Sequence, residues 1–180
     1  MRHAALLLAM CVLLAGCGGD EAAQRVTTST PGGPPPFQLR SEAGTQTAIQ
    51  GSSCVASPQD GGIFGDVCVD TIRPRAVLLS VIRPGETVTI SMPGARLAAA
   101  EARVHPLDCS ERVLRKLQLQ PGETLWPVTL PAGAYEVSLF GRFRADNGSS
   151  GDSSAVAGLL VSATDELELL DAGDRAAPCH

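Results

Sequence analysis

Residues 86 to 92, ETVTISM, alternate: Val88, Ile90 and Met92 point one way, and Thr87, Thr89 and Ser91 the other. A period of two is the mark of a strand with one face in a core. Residues 134 to 143, AYEVSLFGRF, repeat the pattern. Tyr135, Val137, Leu139 and Phe143 share one face; Glu136, Ser138 and Arg142 share the other, which Phe140 interrupts. Residues 76–82, AVLLSVI, and 155–161, AVAGLLV, are almost continuously apolar and predict central strands covered on both faces. Shorter strands are predicted over 116–120 and 125–130.

Turn chemistry separates these runs. RPGET at 83–87, QPGET at 120–124 and LPAG at 130–133 each join a proline, which presets one turn dihedral, to a nearby glycine, which supplies the unusual one. The flanks of the two PGET segments do not match, so they are one turn used twice rather than a repeat. Residues 96–105, RLAAAEARVH, carry helix-favouring alanines. They also alternate, with Ala98, Ala100, Ala102 and Val104 on one face, and their neighbours are strands; a strand is predicted. TDELELL, 164–170, is read as the return strand of a hairpin, with a helix capped by Thr164 as the alternative.

Eight or nine short strands punctuated by Pro/Gly turns predict an all-β fold, an antiparallel immunoglobulin-like β-sandwich. Trp126, the only tryptophan, is expected in its core, without the Cys…Trp…Cys spacing of antibody domains.

The first 44 residues carry none of this periodicity. Met1-Arg2-His3 is followed by a twelve-residue apolar run, Ala4 to Ala15. A helix that crosses a bilayer needs about 20 apolar residues, so the run fits the apolar region of a signal peptide. It ends in Leu14-Ala15-Gly16-Cys17, which resembles the lipobox of bacterial lipoproteins. The resemblance implies cleavage between Gly16 and Cys17, diacylglycerol on the Cys17 sulfur and acylation of the new amino terminus. Two chains on one residue hold a protein to a membrane stably where one holds it marginally. The expected location is therefore the extracytoplasmic face of the cell membrane.

The next segment, 17–44, is dominated by Gly, Pro, Ser and Thr, and is read as a linker. About 30 flexible residues span on the order of 30 Å. The expected organisation is signal peptide 1–16, linker 17–44 and sandwich domain 45–180.

Composition narrows the function. The chain has 180 residues, a net charge of −5, 3% aromatic residues, thirteen arginines and one lysine, Lys116. Nucleic-acid affinity comes largely from basic contacts to phosphates, so a mildly acidic chain poor in aromatics is not expected to bind nucleic acid.

Four cysteines remain beyond the signal and the anchor: Cys54, Cys68, Cys109 and Cys179. An even number in an exported chain predicts disulfides. Three pairings are possible; Cys54–Cys68 and Cys109–Cys179 are favoured, because the first pair is close in sequence and brackets a Gly-rich turn. Zinc is disfavoured, since no C-x2-C occurs.

The order CV…CVD, PGETVTISMPG, a third cysteine, then PAGAYEVSLFGR and a closing apolar strand resembles a group of actinobacterial lipoproteins with a lipobox, a Pro/Thr linker and a single β-sandwich. The resemblance covers residues 45 to 163 and implies no activity for particular residues.

Enzymatic candidates are few. His105 sits at a predicted strand end and His180 at the terminus, and G-x-S-x-G, H-E-x-x-H, S-x-x-K and P-loop motifs are missing from the sequence. A copper site needs a cysteine, two histidines and usually a methionine held together, and Met92 is the only methionine after the signal. No cofactor or metal is expected. Asp146, Asn147 and Asp152 in RADNGSSGDSS are read as hairpin-turn residues rather than calcium ligands. Arg142 with Arg144, and Arg73, Arg75 and Arg83, are read as a solvated face. The segment CVASPQDGGIFGDVC, 54–68, is expected to project as a disulfide-held turn in which Ile63 and Phe64 either fold back onto the sandwich as a plug or stay exposed as apolar contacts for a partner. The function expected from these features is a non-catalytic binding or scaffolding module in the envelope, with an unknown envelope protein or ligand as partner. A hydrolase of unrecognised geometry and a protease inhibitor presenting the 54–68 loop are the alternatives.

Overall fold

The computed structural model describes residues 33–58, 64–72, 74, 76 and 79–163. All regular elements among them are strands: β1 Gln38–Ser41, β2 Gly44–Thr47, β3 Ile49–Pro58, β4 Phe64–Val69, β5 Leu79–Ile82, β6 Thr87–Ser91, β7 Ala95–Pro106, β8 Arg115–Leu119, β9 Thr124–Pro127, β10 Gly133–Ala145 and β11 Ser150–Val161. Four form one sheet in the order β2-β1-β6-β9. Seven form the other, β4-β3-β11-β10-β7-β8, with β5 lying parallel to the C-terminal half of β11. The two sheets pack face to face as a β-sandwich, the architecture that the alternation predicts. Among the described residues there are eleven strands, against the eight or nine expected.

The core is built from inward positions of both sheets. Leu39, Val88, Ile90 and Trp126 come from the smaller sheet. Tyr135, Val137, Leu139 and Phe143 of β10 face them with Ala100, Ala102 and Val104 of β7 and Ala155, Ala157 and Leu159 of β11. Small alanines on β7 and β11 flank the large side chains of β10, so large and small volumes interdigitate.

Several expectations are corrected. Ordered structure begins inside the segment read as linker: β1 starts at Gln38, and Phe37 and Leu39 are buried in the core. The Pro-rich run hides them, because two apolar residues make no visible period. Of the predicted central strand 76–82, the described strand residues are β5, Leu79–Ile82, half-buried with only Ile82 fully covered. Residues 125–130 yield only the four-residue β9, although Val128 and Leu130 beyond it are buried. Thr89, assigned to the polar face, is buried.

The alanine-rich segment is the strand β7, as predicted, but Ala98 is exposed and Leu97 takes the buried place. A β-bulge explains the change: Ala99 pairs Arg142 and Leu97 pairs Phe143, leaving Ala98 as the extra residue. Residues 164–170 and Cys179 lie outside the described residues.

The β10–β11 hairpin has the three-residue loop Asp146-Asn147-Gly148. Gly148 has φ +85°, and Asn147 Oδ1 accepts from the amide and hydroxyl of Ser149. This is a turn closed by a left-handed residue, which glycine supplies without strain. At the other end of β10, the Tyr135 hydroxyl donates to the carbonyl of Pro131 at 2.8 Å and ties the incoming loop to the strand.

Candidate ligand groove on the larger sheet

β7, β10 and β11 run side by side, so their outward residues form rows across the sheet. Register places Glu101, Phe140 and Ser154 in one row, Arg103, Ser138 and Val156 in the next, and His105 and Glu136 with Gly158 in the third. Each row is assembled from strands some 15 to 55 positions apart in the chain. Outward positions of a two-layer sandwich ordinarily face water. Here the first two rows, with His105 of the third, floor a cavity of about 670 Å³, inside the 300–1,000 Å³ range of ligand pockets.

One wall is the segment between β7 and β8, which contributes Ser110, Glu111 and Val113. Its path is set by backbone bonds: Leu107 N–H donates to Ala134 O, Cys109 N–H to Pro106 O and Leu114 N–H to Val104 O. The opposite wall contains Ser52, Thr71 and Pro74. Ser52 holds it in place, donating to Asp70 Oδ1 at 2.9 Å and accepting from the Thr71 amide at 3.2 Å. Ser52 lies at a second bulge, where β3 spends Gly51 and Ser52 against Ser154 of β11, and the Ser154 hydroxyl donates to Ser52 O at 3.0 Å. Bulges recur where a sheet re-aims side chains beside a site.

Among the described residues, three carboxylate or guanidinium side chains line the groove, Glu101, Arg103 and the exposed Glu111. Glu101 and Arg103, two apart on β7 and therefore on one face, form an ion pair. His105 and Glu136 stand directly opposite one another and are only 4% and 5% exposed, which is unusual for polar residues on an outer face. The Ser138 hydroxyl donates to Glu136 Oε1 at 3.4 Å. Phe140 is 46% exposed. Floor and walls thus combine an apolar patch (Phe140, Val156, Val113) with converging hydroxyls, two carboxylates and a guanidinium.

Of the residues singled out as candidate sites in the sequence, His105 is the described one that lines the groove, at the strand end as expected. Cys54 and Cys68 form a disulfide between directly opposed residues of β3 and β4, their Cα atoms 4.0 Å apart. Cys109 is buried and disulfide-bonded. Phe64 opens β4 opposite Pro58, so its backbone belongs to the strand rather than to a projecting turn. Gly16, Cys17, Ile63, Arg73, Arg75 and Cys179 lie outside the described residues. Arg142 and Arg144 are exposed on β10. Asp152 lies on β11 opposite Arg142, away from the Asp146-Asn147 turn, and no cluster of three or more metal-binding side chains occurs among the described residues.

The sequence reading missed Glu101, Arg103, Ser138 and Phe140 as site residues. The one available signal was Phe140, a large apolar residue breaking a polar face. Set against protein-family models and against the curated proteins, the chain matches none of either.

Proposed function

We propose that this chain is a lipid-anchored envelope lipoprotein whose β-sandwich is a non-catalytic binding module, with the groove over β7, β10 and β11 as its ligand seat. The groove carries the reading: a concave site with an apolar floor and few convergent polar groups is the commonest form of a small-ligand site. The anchor rests on the resemblance of Leu14–Cys17 to a lipobox, and the buried Phe37 sets the spacer between anchor and domain at about 20 residues, 17–36. Such a spacer reaches roughly 25 Å from the bilayer. The immunoglobulin-like form of the sandwich is supported by Tyr135, whose bond to a carbonyl four residues back resembles the tyrosine corner of those domains. The test is fractionation: the wild-type chain sediments with membranes, and Cys17→Ser leaves an uncleaved precursor. Efficient cleavage and soluble release of Cys17→Ser would refute the anchor.

One observation favours a second reading, a hydrolase. His105 borders the same cavity as Ser110 and Ser138, with Glu136 opposite it. Binding is the better supported of the two. The Ser138 and Ser154 hydroxyls are directed to Glu136 and to Ser52 O, and the strand amides beneath the groove serve the β-ladders, which leaves the floor without paired donors for an oxyanion. A fluorophosphonate probe that labels the wild type but not His105→Ala would establish the hydrolase.

A further inference from the structure

We infer that the groove takes a neutral, hydroxyl-rich ring compound, a sugar unit of an envelope glycan, with Phe140 as the platform on which the ring stacks. The inference rests on the binding reading above and assigns its ligand class.

Two features of the groove select this chemistry. The first is charge. Glu101 and Arg103 satisfy one another and Glu111 stands exposed on the wall, so the floor offers no isolated charge to a ligand. A neutral ligand can be bridged by the intact pair, Arg103 donating to one of its hydroxyls and Glu101 accepting from the next, which uses the donor and acceptor capacities that the ion pair leaves open. The second feature is the arrangement of apolar and polar surface. Phe140 exposes nearly half its surface between Glu101 on β7 and Ser154 on β11, its direct cross-strand neighbours. A sugar ring has the matching anatomy, a face of C–H groups for the electron-rich ring face and a rim of hydroxyls for the surrounding polar groups. A purely apolar ligand would desolvate those polar groups and use none of their remaining hydrogen-bonding capacity.

The experiment uses the whole chain purified in detergent. Neutral trisaccharides (maltotriose, cellotriose, mannotriose and triacetylchitotriose) are titrated by calorimetry and by NMR. At least one is expected to bind. Phe140→Ala should weaken it about tenfold or more, since an aromatic contact is worth roughly that factor. Phe140→Tyr, which keeps the ring, should bind within about threefold of wild type on the same scale. An unchanged melting temperature in Phe140→Ala separates lost stacking from lost folding. Binding that survives Phe140→Ala unchanged, or no binding by any of the four sugars, overturns the inference. In parallel, a photo-cross-linking amino acid at position 113, on the groove wall, is irradiated in intact envelopes. Capture of glycan supports the inference. Capture of a polypeptide overturns the sugar class while leaving a binding groove. No capture together with no titration overturns the binding reading as well.

Discussion

The ring of Phe37 lies against the backbone of Gly141: a Cβ on that glycine would stand 3.2 Å from Phe37 Cζ and 2.8 Å from the Cβ of Ala100. Gly141 occupies an inward position of β10 between Leu139 and Phe143, where alternation calls for a large apolar residue. Phe37, directly before the inner strand β1 of the smaller sheet, fills that place, so the two sheets are joined by a side chain that enters a gap left by a glycine.

Gly141→Ala should therefore destabilise the fold. The added methyl has no free volume, and overpacking a core typically costs about 1–3 kcal/mol, or a fall of roughly 4–12 °C in the melting temperature of a domain this size. Differential scanning calorimetry measures it. A melting temperature equal to wild type would mean that Phe37 is not seated on Gly141.

A chain that starts at Thr45 should lose cooperative folding. It lacks Phe37, Leu39 and the whole of β1, which pairs with β6 through Leu39 and Ile90. Removal of a single core Phe side chain costs about 3–5 kcal/mol, a large part of the total stability of a domain. Trp126 is the only tryptophan and is buried, so its fluorescence reports unfolding directly. A sigmoidal urea transition at the wild-type midpoint would show that residues 33–44 are tether after all.

Strands with regular alternation were legible in the sequence because burial on one face writes itself at period two, as in β6 and β10. β7 was legible as a strand but not in its facing, since a bulge at Ala98 shifts the parity without leaving a mark among four alanines. β3 was invisible: Ile49–Pro58 contains glycine, three serines and a proline, and its inward Ser53 and Val55 do not form an apolar stripe. The groove was unreadable for a topological reason. Arg103, Ser138 and Val156 become neighbours only through the register of β7, β10 and β11, and no local spacing encodes that register. His105 reads as a strand-end residue and Glu136 as part of a polar face, and only the tertiary structure shows them covered.

The β3–β4 hairpin should respond to two changes in different ways. Cys54→Ser with Cys68→Ser opens a loop of about 15 residues and should cost roughly 3 kcal/mol in the chain-entropy view, with the hairpin ladder still able to form. Gly151→Ala should do more harm to the same region. Its Cβ would fall onto the carbonyl of Cys54, which is backbone and cannot rotate away, so the pairing of β3 with β11 must open. Hydrogen exchange of the β3 amides distinguishes them: protection retained in the double serine variant, lost in Gly151→Ala. Retained protection in both would show that β3 is not held against Gly151 as described. Non-reduced peptide mapping is expected to give Cys54–Cys68 and, for Cys109, a link to Cys179 that closes about 71 residues and contributes roughly 4.4 kcal/mol on the same account.

Tyr135 should make the protein sensitive to alkali. Its ring is buried and its hydroxyl donates to Pro131 O, so burial holds the phenol above its ordinary pKa of 10.0. In the unfolded chain the phenol ionises at the ordinary value; in the folded chain it stays protonated to higher pH. The folded state therefore binds the proton more tightly, and stability falls as pH rises. The contribution is fully present below about pH 10 and drains away from there until the folded pKa is passed. Tyr135→Phe removes the dependence. It also removes the hydrogen bond and leaves Pro131 O short of a partner, so the variant should be about 1–3 kcal/mol less stable at neutral pH. Above pH 10 the gap between the two proteins should narrow. Tyr135 is the only tyrosine, so the growth of tyrosinate absorbance during an alkaline titration follows this one group without interference. Ionisation at the ordinary pKa in the folded protein, or a stability gap that stays constant up to pH 11, would mean that the hydroxyl is neither buried nor bonded to Pro131.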